Sequence, residues 1–156
     1  MDLNPDWEYV ADTVMGGVSD GTAARVHVQG RHAMRLTGSV STDNNGGFIQ
    51  MAFDLSPGGG PVDASGWQGI ELDVRGNGEE YDVRLRTEQL SRPWQSFRAS
   101  FRADHAWTTV RISFDDFAPH RTDVAFDPAY LRRIGILAVG RDFTADVAVS
   151  GIRLYR

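Results

Sequence analysis

The chain has 156 residues, a formal net charge of −5, 41% hydrophobic and 10% aromatic residues, and no cysteine. That length suits one domain, residues 1–156, with enough apolar material for a core. Disulfides, thiolate metal sites and cysteine nucleophiles are excluded, and the acidic balance argues against nucleic-acid binding, which relies on a basic excess.

All 16 basic side chains are arginine, so every cation can make a forked contact with a carboxylate or phosphate. Met1-Asp2-Leu3-Asn4-Pro5-Asp6 has neither the basic start nor the apolar run of a signal peptide. No apolar stretch nears the roughly 20 residues that span a bilayer. The expectation is therefore a cytoplasmic protein with no transmembrane segment.

Period-two alternation dominates the chain, and helical periodicity is nearly absent. Ala24-Arg25-Val26-His27-Val28 alternates up to Gly30, and Met34 to Thr37 resumes the pattern. Phe48 to Phe53 forms a strand-length run closed by Gly58-Gly59-Gly60-Pro61. Ile70, Leu72 and Val74 oppose Glu71, Asp73 and Arg75, after which Gly76-Asn77-Gly78 predicts a tight hairpin loop. Tyr81, Val83 and Leu85 alternate with Asp82, Arg84 and Arg86, and Phe97, Ala99 and Phe101 alternate with Arg98, Ser100 and Arg102. Further strands follow at Val110 to Phe114, Ile134 to Ala138 and Val147 to Leu154, with a bulge near Gly151. Single helical turns are expected at Asp115-Asp116-Phe117 and Pro128 to Leu131. About nine strands at this spacing predict an all-β fold, an antiparallel β-sandwich.

Each strand divides apolar from charged residues, as when one face packs and the other meets water. If neighbouring strands present Glu71 and Asp73, then Arg84 and Arg86, then Arg98 and Arg102, cross-strand ion pairs follow. In the sharper reading Arg84, Arg86 and Arg98 hold an anionic ligand or an acidic partner surface. Trp94, between Pro93 and Gln95, falls outside the alternation; it either closes the core edge or stacks on a sugar or partner.

Two glycine-rich stretches stand apart from ordinary turns: Asp12-Thr13-Val14-Met15-Gly16-Gly17-Val18-Ser19 and Ser41 to Phe48, which contains Asn44-Asn45-Gly46-Gly47-Phe48. Neither has the lysine of a phosphate loop or the strand-turn-helix setting of a dinucleotide fingerprint. Their expected role is structural, with the backbone of Gly16, Gly17, Gly46 and Gly47 packed near Met15, Ser19 and Phe48. If Gly17 or Gly46 has a positive φ, a β-branched replacement costs more than about 1 kcal/mol.

These two motifs, Leu85-Arg86-Thr87, Trp107 to Ile112 and Phe114-Asp115-Asp116-Phe117 occur in this order. The series resembles the complex I intermediate-associated protein 30 family from Trp7 to Tyr155. The resemblance implies a galactose-binding-domain-like jelly roll, similar in architecture to carbohydrate-binding modules. Mitochondrial members of the family assist assembly of respiratory NADH:ubiquinone oxidoreductase, and many bacterial relatives are single domains. The expectation is a departure from the mitochondrial pattern, without its transit peptide or extra N-terminal region.

Other chemistry is weakly signalled. His27, His32, His105 and His120 lack metal-ligand spacing. Asp12, Asp20, Asp43 and Asn44 could converge on calcium or simply cap turns; no metal and no cofactor are expected. No G-x-S-x-G elbow is present, and Glu71 with Asp73 is the one candidate for a hydrolase's acidic pair. The expectation is a non-catalytic module that binds a protein partner, an assembly intermediate. A saccharide is the alternative ligand. Arg84, Arg86, Arg98, Trp94, Asp73, Asn44 and Asn45 are the candidate contacts.

Overall fold

The computed structural model describes residues 1–156, with every side chain except those of Val14, Met15 and Asn45. The roles read for Met15 and Asn45 therefore fall outside the described residues. The strands are β1 (Glu8–Ala11), β2 (Asp20–Val28), β3 (Arg31–Val40), β4 (Phe48–Asp54), β5 (Gly69–Gly76), β6 (Glu80–Thr87), β7 (Ser96–Arg102), β8 (Thr108–Ser113), β9 (Ala118–His120), β10 (Leu131–Val139) and β11 (Phe143–Tyr155). They form two antiparallel sheets, one ordered β1-β4-β10-β6-β7-β9 and the other β2-β3-β11-β5-β8. The architecture is an all-β sandwich of the jelly-roll type, with eleven strands rather than about nine. The extra strands, β1 and β9, are too short to show alternation.

The apolar half of each alternation lies between the sheets. Ile49, Met51, Phe53, Val83, Leu85, Phe97, Ile134 and Ile136 come from the six-stranded sheet. They meet Leu36, Ile70, Leu72, Val74, Val147 and Leu154 from the five-stranded one. Outside the strands, Trp7 packs edge-on against Phe53 with ring centres 4.8 Å apart. The bulge near Gly151 is present: β11 shifts register against β5 between Val149 and Gly151. Single 3-10 turns form at Phe114–Asp116 and Pro128–Tyr130, the second with Asp127 accepting from the Ala129 N–H.

Gly76-Asn77-Gly78 does not close a hairpin. β5 and β6 lie in different sheets, so the turn is a corner that carries the chain across the sandwich. Gly76 is needed there because a Cβ would stand 2.6 Å from the Ala103 Cβ and from the Asp146 carbonyl oxygen. Tyr81 fixes the corner. Its hydroxyl donates to Asn77 Oδ1 at 2.7 Å and accepts from the Asp146 N–H at 2.8 Å. Burial pushes its pKa up to about 12.

This corner also overturns the expected pairing of Glu71 and Asp73 with Arg84, Arg86, Arg98 and Arg102. Glu71 and Asp73 sit on the outer face of the other sheet, where their partners are Arg111, Arg153 and Thr109. Arg111 Nε donates to Glu71 at 2.7 Å, and Arg153 Nε donates to the other Glu71 oxygen. Arg153 also reaches Asp73 at 2.9 and 3.1 Å, and Thr109 donates to Asp73 at 2.7 Å. Nearby, Arg35 pairs with Asp146 at 2.6 Å. The carboxylates of this face are satisfied by their own neighbours.

Candidate functional site

The two glycine motifs meet around one buried carboxylate. Asp12, fully inaccessible to solvent, directly follows β1 and is enclosed by the second motif. Its Oδ1 accepts from the Ser19 N–H at 3.1 Å. Its Oδ2 accepts from the Ser19 hydroxyl at 2.5 Å, the Gly47 N–H at 2.6 Å and the Phe48 N–H at 3.1 Å. The Ser19 oxygen in turn accepts from the Ser41 N–H at 2.8 Å, tying the two loops together. Burial pushes the Asp12 carboxyl upward, but the donors at Gly47, Ser19 and Phe48 outweigh it and hold the pKa below its ordinary value.

The motifs thus have a physical cause that differs from the expected one. Gly17 and Gly46 do not have a positive φ; the left-handed positions are Gly16 at 87° and Gly47 at 129°. Gly17 and Gly46 are glycine because a Cβ on either would come within 2.5 Å of the Asp12 carboxylate. Asp12 was legible only as a turn cap or calcium ligand, although an Asp before one glycine pair and a Ser after it could have signalled the hub. With its oxygens occupied by N–H and O–H donors, Asp12 has little left for a cation. Among the described residues, no three His, Asp or Glu side chains converge on a metal position.

The remaining candidates lie mostly on the outer face of the six-stranded sheet. Register places Ala52, Gly135, Arg84 and Arg98 in one row across β4, β10, β6 and β7. Gln50, Leu137, Asp82 and Ser100 form the next row. The small residues Ala52 and Gly135 make a low floor, and the Gln50 side chain lies over Gly135. Ala52, Leu137 and Asp82 are buried even though they point away from the core.

Asp82 is the electrostatic centre of this face. Arg84 Nε donates to its Oδ2 at 2.9 Å, Arg98 pairs with the same oxygen at 3.2 Å, and the Ser100 hydroxyl donates to Oδ1 at 3.2 Å. Burial pushes the Arg84 pKa down, against the pull of Asp82. Arg86 finds no carboxylate. It donates to the carbonyls of Pro93 and Arg92 at 3.3 and 3.1 Å, pinning the loop that carries Trp94. Burial, then Arg132 and Arg133, lowers its pKa. Trp94 is 53% exposed, so it does not close the core edge.

The structure gathers Arg84, Arg86, Arg98 and Trp94 around the β6–β7 side of one face. It does not bring Asp73 or Asn44 to them. Asp73 is on the opposite sheet. Asn44, exposed and left-handed at φ 56°, stands beyond the Phe48 end of β4. The Arg86 row is at the other end, where β4 reaches Asp54, about 20 Å away at strand rise. His120 and Arg121 were not singled out as contacts, yet β9 carries His120, with Arg121 directly after it, to the same face as Arg84 and Arg98. Strand alternation could not reveal them, because β9 is a three-residue strand containing proline.

Glu71 and Asp73 are poor candidates for hydrolysis. Arg111 and then Arg153 hold the Glu71 carboxyl below its ordinary value, and Arg153 does the same for Asp73. A general acid needs the opposite shift.

The family model described as complex I intermediate-associated protein 30 (CIA30) matches residues 2–147. The chain belongs to this family. No curated protein matches this CIA30 domain by sequence. Among solved structures it is similar to a family 11 carbohydrate-binding module from Clostridium thermocellum in complex with a β-1,3-1,4-mixed-linked tetrasaccharide. That pair shares 17% identity at a TM-score of 0.79, covering 99% of this chain and 94% of the other. A family 30 carbohydrate-binding module of a cellulosomal cellulase of the same organism has 17% identity and a TM-score of 0.70, with the same two coverages of 99% and 94%. At these identities the likeness establishes a shared sandwich. Among the described residues of the CIA30 domain, no helix is long and apolar enough to cross a membrane.

Proposed function

We propose that this CIA30 domain is a non-catalytic protein-interaction module. It engages an assembly intermediate through the outer face of the six-stranded sheet, with Arg84, Arg86, Arg98 and the Trp94 loop as contacts. The observation that carries this reading is the contrast between the two outer faces. On the five-stranded sheet the carboxylates are locked to their own arginines. On the six-stranded sheet Arg133 is likewise paired, but one buried carboxylate serves both Arg84 and Arg98, and Arg86 holds the loop of the exposed Trp94. Exposed aromatic and arginine side chains in one patch are what binding hot spots use. The test is affinity capture of the full chain from its native cell, with a photo-crosslinking residue replacing Trp94. Repeated recovery of one respiratory or other assembly protein crosslinked at that position supports the module. Its consistent absence overturns it.

The second reading is a carbohydrate-binding module. The same face favours it through a floor of small residues rimmed by Gln50, Arg84 and Arg133, in a sandwich shared with saccharide-binding modules. Titration with neutral β-glucans tests it; no binding at millimolar ligand removes it.

A further inference from the structure

One corner of this face has more cationic groups than its own carboxylates satisfy. β9 ends at His120, opposite Ser96 of β7. The charged groups acting on His120 are Arg84, Arg121, Arg98 and Asp82, three guanidiniums against one carboxylate. Burial, then these arginines, lowers the His120 pKa from its ordinary value. The three guanidiniums outnumber the one carboxylate by two, on a chain whose overall charge is −5.

Arg121 is held there at a cost. Its φ is 57°, a left-handed conformation that side chains other than glycine's adopt only under strain. The other two such residues that are not glycine, Gln29 and Asn44, sit in a hairpin turn and a glycine motif. Arg121 is exposed, next to like charges that repel it.

Asp82 shows in miniature what these side chains accept: an aspartate carboxylate reached by Arg84, Arg98 and a serine hydroxyl. Arg98 gives Asp82 one terminal nitrogen, while its side chain stays 43% exposed. Arg121 is likewise exposed to solvent. A second carboxylate arriving from solvent would meet a fork of donors and neutralise the excess.

We propose that this corner is a carboxylate site, in which Arg98 and Arg121, backed by Arg84, take an Asp or Glu side chain from an acidic segment of the partner protein. This rests on the protein-interaction reading above and adds the partner's chemistry to it.

The test is fluorescence anisotropy of the full chain with a labelled oligo-glutamate peptide, with oligo-glutamine as control and polygalacturonate as competitor. Oligo-glutamate should bind at low salt, weaken steeply as salt rises, and leave oligo-glutamine unbound. Arg98→Gln and Arg121→Gly should each weaken binding by at least about tenfold, as loss of a charge-assisted contact implies. Arg111→Gln, on the opposite sheet, should not. Arg121→Gly also relieves the left-handed strain, so its melting temperature should hold or rise while binding falls, separating recognition from folding. Absence of oligo-glutamate binding overturns the site. So does binding indifferent to both variants, or preferential binding of polygalacturonate, which would assign the corner to acidic saccharides. A captured partner that crosslinks at Trp94 but binds Arg98→Gln and Arg121→Gly normally would uphold the module and refute this corner.

Discussion

Replacing Asp12 with asparagine changes one atom and removes one charge at the point where the two glycine motifs join. The side chain fits without a cavity, because the two residues are nearly the same size. The amide's oxygen is best placed at the Oδ2 position, where it keeps Ser19 Oγ, Gly47 N–H and Phe48 N–H. Its NH2 group then faces the Ser19 N–H, leaving that buried donor unsatisfied at about 1–3 kcal/mol. Three retained hydrogen bonds lose their charge assistance, roughly half their strength, which adds about 1–2 kcal/mol in all. The expected loss is about 3 kcal/mol at pH 7, read from urea denaturation with the slope unchanged. The pH dependence has a fixed sign. The folded pKa of Asp12 lies below its ordinary 3.8, so the carboxylate's contribution is complete above that value. It disappears as pH falls through the lower folded pKa. The gap between wild type and Asp12→Asn should therefore be constant from pH 7 to pH 5 and narrow only below about pH 4. A loss under about 0.5 kcal/mol at pH 7, the size of an ordinary surface change, or a gap that widens in acid would refute the hub.

Gly46→Ala should cost about 2 kcal/mol by forcing a Cβ into the Asp12 carboxylate. Combined with Asp12→Asn it should cost less than the sum of the two, a coupling that a double-mutant cycle in urea would read. Asp82→Ala should destabilise by about 3 kcal/mol, because Arg84 is left buried and unpaired; thermal melting checks it, and an unchanged melt would contradict the pairing. Trp94→Ala should alter stability by less than about 0.5 kcal/mol while weakening capture of the partner, since the ring is mostly exposed. Arg153→Gln should cost about 1 kcal/mol at low salt and less at high salt, because Glu71 and Asp73 lose their shared counter-charge.

Most strands were legible because each carries its own record of two environments in its alternation. What alternation leaves out is the partner. β5 and β6 read as adjacent strands of a hairpin, with turn-forming residues between them, yet those residues turn a corner between sheets. Gly76 is needed there by the closeness of Ala103 and Asp146, residues far along the chain. The error carried over to the charges, pairing Glu71 and Asp73 with arginines of the wrong sheet. The glycine motifs read as structural through a positive φ at Gly17 or Gly46, whereas in the structure these two glycines make room for the buried Asp12 carboxylate. Of the candidate contacts, those on consecutive strands β6 and β7 stay together. Asp73 and Asn44 do not, since their placement depends on which sheet, and which end of it, each strand joins. Arg121 was hidden for a simpler reason: its significance lies in a backbone angle, and sequence alone assigns it no such angle.

The position of β11 also has a consequence for synthesis on the ribosome. It is the central strand of the five-stranded sheet, bridging β3 and β5, yet it follows all the others in the chain. Once Val139 has emerged, all six strands of the other sheet are available to pair. The five-stranded sheet at that moment can exist only as two separate pairs, β2–β3 and β5–β8, each with an open edge. A nascent chain would thus display one finished sheet with its apolar face uncovered and two unpaired strand edges, the surfaces on which aggregation begins. Closure waits for the last thirteen-residue strand. Translation that stalls in the stretch before Phe143 would leave a sandwich that cannot shield its interior.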